Sequence, residues 1–209
     1  MNQKYLIGGL IVLLGLASLG YWIYRDGATL GNGQNDTSTT TPPVVATTTP
    51  TVRMPKFPDL NRPLTVTANL TESQLAQIKN KIADINTRLK ANSDDFMSWI
   101  ELGLYRNSVG DYEGARIVWE YASAIRPKNS LSFGNLGFLY GYHLNDPVRA
   151  EKNYLQAIQN DPKMAYLYVQ LAEFYRDVAK NMAKARAIIE RGVRNNPDNA
   201  ELKVILQNI

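Results

Sequence analysis

Three prolines, Pro127, Pro162 and Pro197, stand 35 residues apart, and the same pattern of residues precedes each one. The first copy runs Trp99, Leu102, Gly103, Tyr112, Ala115, Trp119, Ala122. The second runs Phe133, Leu136, Gly137, Tyr140, Ala150, Tyr154, Ala157, and the third Tyr168, Leu171, Ala172, Tyr175, Ala185, Ile189, Gly192. A fixed period of this length restricts a chain to stacked copies of one supersecondary unit, each burying the apolar face of its neighbour.

Within a copy the spacing predicts two helices. An aromatic, a leucine three residues later and then a small residue share one helical face. Gly103, Gly137 and Ala172 remove bulk from that face, so a second helix can approach closely. The second helix supplies small residues seven apart: Ala115 and Ala122, Ala150 and Ala157, Ala185 and Gly192. A proline cannot continue the helix and therefore closes the unit.

The W-x2-L-G run, the A-x6-A pair and the closing proline resemble the tetratricopeptide repeat (TPR) family over residues 96–199. The expected fold is an all-α solenoid of three TPR-like helix-turn-helix repeats, 96–129, 130–164 and 165–199, with capping helices at 70–95 and 200–209. Two departures stand out. Arg106 occupies the first copy's position for an aromatic, with Tyr105 one place early, and the later copies carry one extra residue between their helices.

The resemblance implies a concave groove lined by the first helix of each repeat. Carried onto this chain, the lining is Met97, Ile100, Leu104 and Asn107, then Leu131, Gly134, Phe138 and Tyr142, then Tyr166, Val169, Glu173 and Arg176. Some relatives grip the carboxylates of chaperone tails with Lys, Asn and Arg at such places. Here Ile100, Leu104, Leu131, Gly134 and Phe138 stand there, so that activity is not implied. An apolar lining suits an amphipathic helix or an extended apolar peptide. The rival reading is that the protein's own segments cover part of it.

Residues 5–24 form a run of 20 without a charge, enough to span a bilayer. Tyr5 at one end and Tyr21, Trp22 and Tyr24 at the other suit the two interfaces. No small-x-small site follows, which favours an uncleaved anchor at 1–26 over a signal peptide. Residues 27–69 read as a Thr/Pro-rich disordered linker, a composition commoner outside the cytoplasm. The expectation is a single-pass membrane protein whose repeats lie on the extracytoplasmic side. Inside the linker, residues 52–66 mix prolines with Met54, Phe57, Leu60, Leu64 and Val66. They read as a loose linker end, with docking in a groove as the sharper alternative.

Thr71-x-x-Gln74 is a capping box, and Leu75, Ile78, Ile82, Ile85 and Leu89 give the helix behind it one apolar stripe. A cap packed on the first repeat is the leading interpretation, and a short coiled coil is the other. After Pro197, Leu202, Ile205, Leu206 and Ile209 lie on one face of a terminal cap.

Composition closes several routes. Residues 71–209 hold 18 Lys/Arg against 16 Asp/Glu, about +2, with no basic stripe, so nucleic acid is not an expected partner. With no cysteine, thiolate metal sites and disulfides are excluded. The single histidine, His143, reads as a surface residue near a turn. No phosphate loop, metal cluster or activated nucleophile is present, so no catalytic residue, metal or cofactor is assigned. The expected function is a non-enzymatic, membrane-anchored module that binds a protein or peptide. A self-associating structural component of a membrane complex is the alternative.

Overall fold

The computed structural model describes residues 55–209. The run at 5–24 and the Thr/Pro-rich stretch up to residue 54 lie outside the described residues. Among the described residues there are eight α-helices and no strand: α1 Glu72–Ala91, α2 Phe96–Ser108, α3 Tyr112–Ile125, α4 Leu131–Tyr142, α5 Pro147–Asn160, α6 Ala165–Asp177, α7 Met182–Asn195 and α8 Ala200–Asn208. No helix among them is long and apolar enough to cross a membrane.

Each helix packs on the next, and α4 also touches α6. One continuous core runs from Leu60 through Trp99, Trp119, Tyr154 and Tyr168 to Leu202. The second-helix alanines Ala115, Ala122, Ala150, Ala157 and Ala185 are all fully buried. The glycines facing them are there for close approach. A Cβ on Gly103 would lie 2.1 Å from the Trp119 ring, and one on Gly137 would lie 2.7 Å from the Tyr154 ring. Aromatic rings thus lie directly over bare backbone, once in each of the first two pairs.

The helix ends repeat as faithfully as the core. Arg126, Asp161 and Asn196 end α3, α5 and α7, each directly before its proline and each donating its backbone N–H to the carbonyl of Ala122, Ala157 or Gly192. All three adopt similar non-helical backbone angles, as a following proline demands. Asn92 ends α1 with a related geometry, donating to the Arg88 carbonyl. The second helices start on Asp111, Asp146 and Asn181, whose side chains accept from the backbone N–H three residues on.

The extra residue of the later copies falls in the turns between paired helices, which span 109–111 in the first pair and 143–146 and 178–181 in the others. The turns nevertheless converge on one device. The residue just before each N-cap is left-handed: Gly110 at φ 84°, Asn145 at 51° and Lys180 at 51°. The N-cap N–H then reaches back to Arg106, Tyr140 or Tyr175, at 2.9, 2.9 and 2.7 Å.

At the head of the chain the capping box forms on both sides, with Gln74 N–H donating to Thr71 Oγ1 and Thr71 N–H to Gln74 Oε1. α1 buries Ile82, Ile85 and Leu89 and packs on α2. At the tail, α8 buries Leu202 against α7.

Residues 55–70 differ from the loose linker end that their composition suggests. They lie along α1, α2 and α3 as a docked segment. Leu60 is 7% exposed, and Phe57 makes edge-on contacts with Trp99 and Tyr121. Asn86 Nδ2 donates to the Leu60 carbonyl at 2.7 Å and Arg106 to the Arg62 carbonyl at 2.9 Å. The N–H groups of Thr67 and Ala68 both donate to the Val109 carbonyl. These hydrogen bonds and the buried Leu60 hold an irregular segment on the helices.

Candidate functional site

Arg106 explains its own departure from the repeating pattern. At the equivalent places in α4 and α6 the hydroxyls of Tyr140 and Tyr175 reach back to carboxylates of the preceding second helix, Glu120 and Glu151. Arg149 and Lys184, 35 residues apart, each lie over the corresponding ring at 5.1 and 5.2 Å. In α2 the preceding neighbour is the docked segment, which offers backbone carbonyls. A guanidinium can serve one of these and Asp111 together. The first-copy face is thereby closed, and a cleft of about 400 Å³ remains beside it between Phe57, Pro58, Asp59, Ile117 and Glu120.

None of the docked segment's partners named above is a residue of the expected groove. The groove residues divide by burial. Ile100 is 1% exposed and belongs to the core, where its carbonyl accepts from the Trp119 indole at 3.2 Å. It therefore cannot line an open surface. Met97, Leu104, Asn107, Leu131, Phe138 and Val169 are partly buried, while Tyr142, Tyr166, Glu173 and Arg176 are exposed. Gly134 lets α6 close on α4, since a Cβ there would lie 3.2 Å from Leu167.

The structure gathers aromatic rings around the end of α4. Phe138 and Tyr142 stack with centroids 4.9 Å apart. Tyr112, at the start of α3, stacks on His143 at 4.1 Å, and His143 meets the Phe138 edge at 5.3 Å. His143 is thus part of an aromatic cluster and not a free surface residue. Burial holds its imidazole below the ordinary histidine range. Sequence reasoning missed the contact of Tyr112 with His143 because one starts α3 and the other ends α4, 31 residues later, where no single helical period links them.

Partial desolvation at the foot of its ring pushes the solvent-reachable Tyr142 phenol up to about 12, and the Glu173 carboxylate adds to the shift. Partial desolvation also raises the Glu173 carboxyl, with Arg176 opposing and Asp177 and Glu201 adding to the effect. Arg176 is paired with Asp177 through two bonds of 2.7 and 2.8 Å. The site offers stacked aromatic faces, a carboxylate with no bonded counter-ion and little else that is chemically active.

No family model matches the chain, and no curated protein is similar enough to count as a relative.

Proposed function

We propose that this chain is a membrane-anchored, non-enzymatic interaction module. In this reading α2–α7 are three TPR-like hairpins of a short solenoid, α1 and α8 are its caps, and residues 5–24 hold it at the membrane with the helices on the extracytoplasmic side. A peptide or helix of a partner protein lies along α2, α4 and α6. The supporting observation is that Phe138, Tyr142 and Tyr166 keep aromatic surface in reach of solvent on α4 and α6. The protein's own docked segment, meanwhile, is seated on a different set of residues. An apolar, aromatic strip that the described residues leave in reach of solvent is where a partner gains most from burial.

The test is photo-crosslinking from position 135, beside the strip, in native membranes, with wild type set against the Phe138→Ala/Tyr142→Ala double variant. Adducts that vanish in the double variant, with circular dichroism unchanged, support the module. Adducts of equal yield in both place the partner elsewhere. A weak response to salt is part of the expectation, since few charges line α2 and α4. A collapse of binding between low and physiological salt would move the contact to Glu173 and Arg176.

A further inference from the structure

Phe138 of the proposed strip touches two other rings. Tyr142 stacks on it at 4.9 Å, and His143 meets it edge-on at 5.3 Å. His143 in turn stacks on Tyr112 at 4.1 Å, with the two planes only 15° apart. The four rings form one chain of contacts from the start of α3 to the end of α4, and the imidazole is the link between Tyr112 and Phe138. Its backbone is held as well, since His143 ends α4 and its N–H donates to the Leu139 carbonyl at 3.0 Å.

His143 is the one link in this chain whose charge changes near neutral pH. A neutral imidazole packs on rings at little cost. An imidazolium must give up water on each side that a ring covers. Burial accordingly holds its pKa below the ordinary histidine range, and burial is the whole of the cause. Tyr112 is the titratable side chain that faces it from α3, and α4 presents Phe138. The charges close by in the chain are spent on one another, Glu113 on Arg116 and Asp146 on Arg149. On α6, Glu173, Arg176 and Asp177 influence Tyr142, and none of them adds to the shift of His143. Among the described residues, no counter-charge stands ready to compensate a proton on the imidazole.

We propose that His143 is a positioning residue of the partner strip and that its protonation weakens partner binding. This inference rests on the interaction module proposed above and names how that site is regulated. A peptide laid on Phe138 and Tyr142 covers the chain of rings further and removes more water from the imidazole. The bound form therefore holds the proton less tightly than the free form. By linkage, the partner binds the neutral form better. Affinity is complete above the histidine pKa of the free protein and declines as the pH falls below it, by at most about tenfold per pH unit for one proton. A charged imidazole also pulls away from Tyr112 toward water, and Phe138 then loses one of the two rings that support it.

The chain has one histidine, so its imidazole gives a single resonance in the untagged protein. The experiment starts from a random 12-residue peptide library, displayed on phage and selected at pH 7.5 against the full chain in neutral detergent micelles. Affinities of the selected peptides are measured by fluorescence anisotropy from pH 7.5 to pH 5. The histidine is titrated by NMR with and without peptide, and circular dichroism follows the helix content throughout. The expected result is a wild-type affinity that falls about threefold or more over this range, a clearly shallower fall in His143→Phe, and a histidine pKa that is lower with peptide bound. Glu173 titrates in both proteins and cancels between them. Equal slopes in wild type and His143→Phe, or a histidine pKa that peptide leaves unmoved although Phe138→Ala abolishes binding, overturn the role of His143 and leave the module standing. A library that yields no binder, or binders indifferent to Phe138→Ala and Tyr142→Ala alike, overturns both.

Discussion

Arg106 and Asp111 hold opposite charges 2.5 Å apart with side chains only 2% and 1% exposed. Asp111 spends its other oxygen on the Gly114 N–H, and Arg106 spends its other nitrogen on the Arg62 carbonyl. There is no slack around them, since a Cβ on Gly114 would lie 2.3 Å from the carboxylate. The pair joins the start of α3, the end of α2 and the docked segment.

Arg106→Ala should therefore be among the most damaging single changes in the chain. It leaves the buried Asp111 charge with only the more distant Arg62 guanidinium, 3.9 Å away, and the Arg62 carbonyl without its donor. The expected loss is about 3–5 kcal/mol, read from urea unfolding of the full chain in micelles. A loss below ~1 kcal/mol would mean that water replaces the guanidinium freely.

Gly137→Leu should destabilise by about 1–3 kcal/mol despite the better helix propensity of leucine. The ring of Tyr154 occupies the space that the new side chain needs, with Cγ and Cδ1 both 2.7 Å from the Cβ position. These atoms are near the root of the side chain, so the ring cannot step aside without moving α5. An unchanged urea midpoint would refute the close contact.

The left-handed turn position gives a change in the opposite direction. Lys180 adopts φ 51° where the first turn has glycine and the second asparagine. Lys180→Asn should raise stability by about 0.5–1 kcal/mol, because asparagine tolerates this region better. Gly110→Ala should lower it by more than ~1 kcal/mol. Its φ is 84° and its Cβ would fall 1.9 Å from the Thr67 hydroxyl. Thermal midpoints of the two variants should move in opposite directions.

His143 makes stability depend on pH. Burial depresses its folded pKa, so as the pH falls the unfolded chain takes up the proton first. Its contribution is complete above the ordinary histidine value of about 6.5 and is lost as the pH drops through the lower folded value. The urea midpoint should fall on going from pH 7 to pH 5, and His143→Phe should flatten that slope. Glu173, shifted upward, acts in the opposite sense but is common to both proteins, so their difference isolates the histidine. Identical slopes would show that the imidazole protonates in place.

The paired helices and the small residues between them were legible because each rests on a period. Gly137 and Tyr154 sit where spacing alone puts them, and so do Ala150 and Ala157. The capping box at Thr71 was legible for the same kind of reason, as a local pattern with a fixed offset. The docked segment was not. Phe57, Leu60 and Arg62 carry the right chemistry, but an extended irregular run shows no periodicity, and its partners lie 26 to 64 residues away. Arg106 was visible as an exception without a visible cause, since the cause is that distant segment. Ile100 was misplaced among the lining because its register follows the groove pattern, while the Trp119 ring beside its carbonyl seals it in.

The way the chain enters the helical stack decides how the stack would meet a mechanical load. A tension applied at residue 55 does not arrive first at α1. In chain order it meets the Phe57 rings, the Leu60 anchor, the Arg62 carbonyl held by Arg106, and then the Thr67 and Ala68 bonds to Val109. In that order these fasten to α2 and α3, to α1, to α2 again, and to the turn between α2 and α3. The force is thereby shared across three helices, and α1 need not fray from its end before the fastenings have given way one by one.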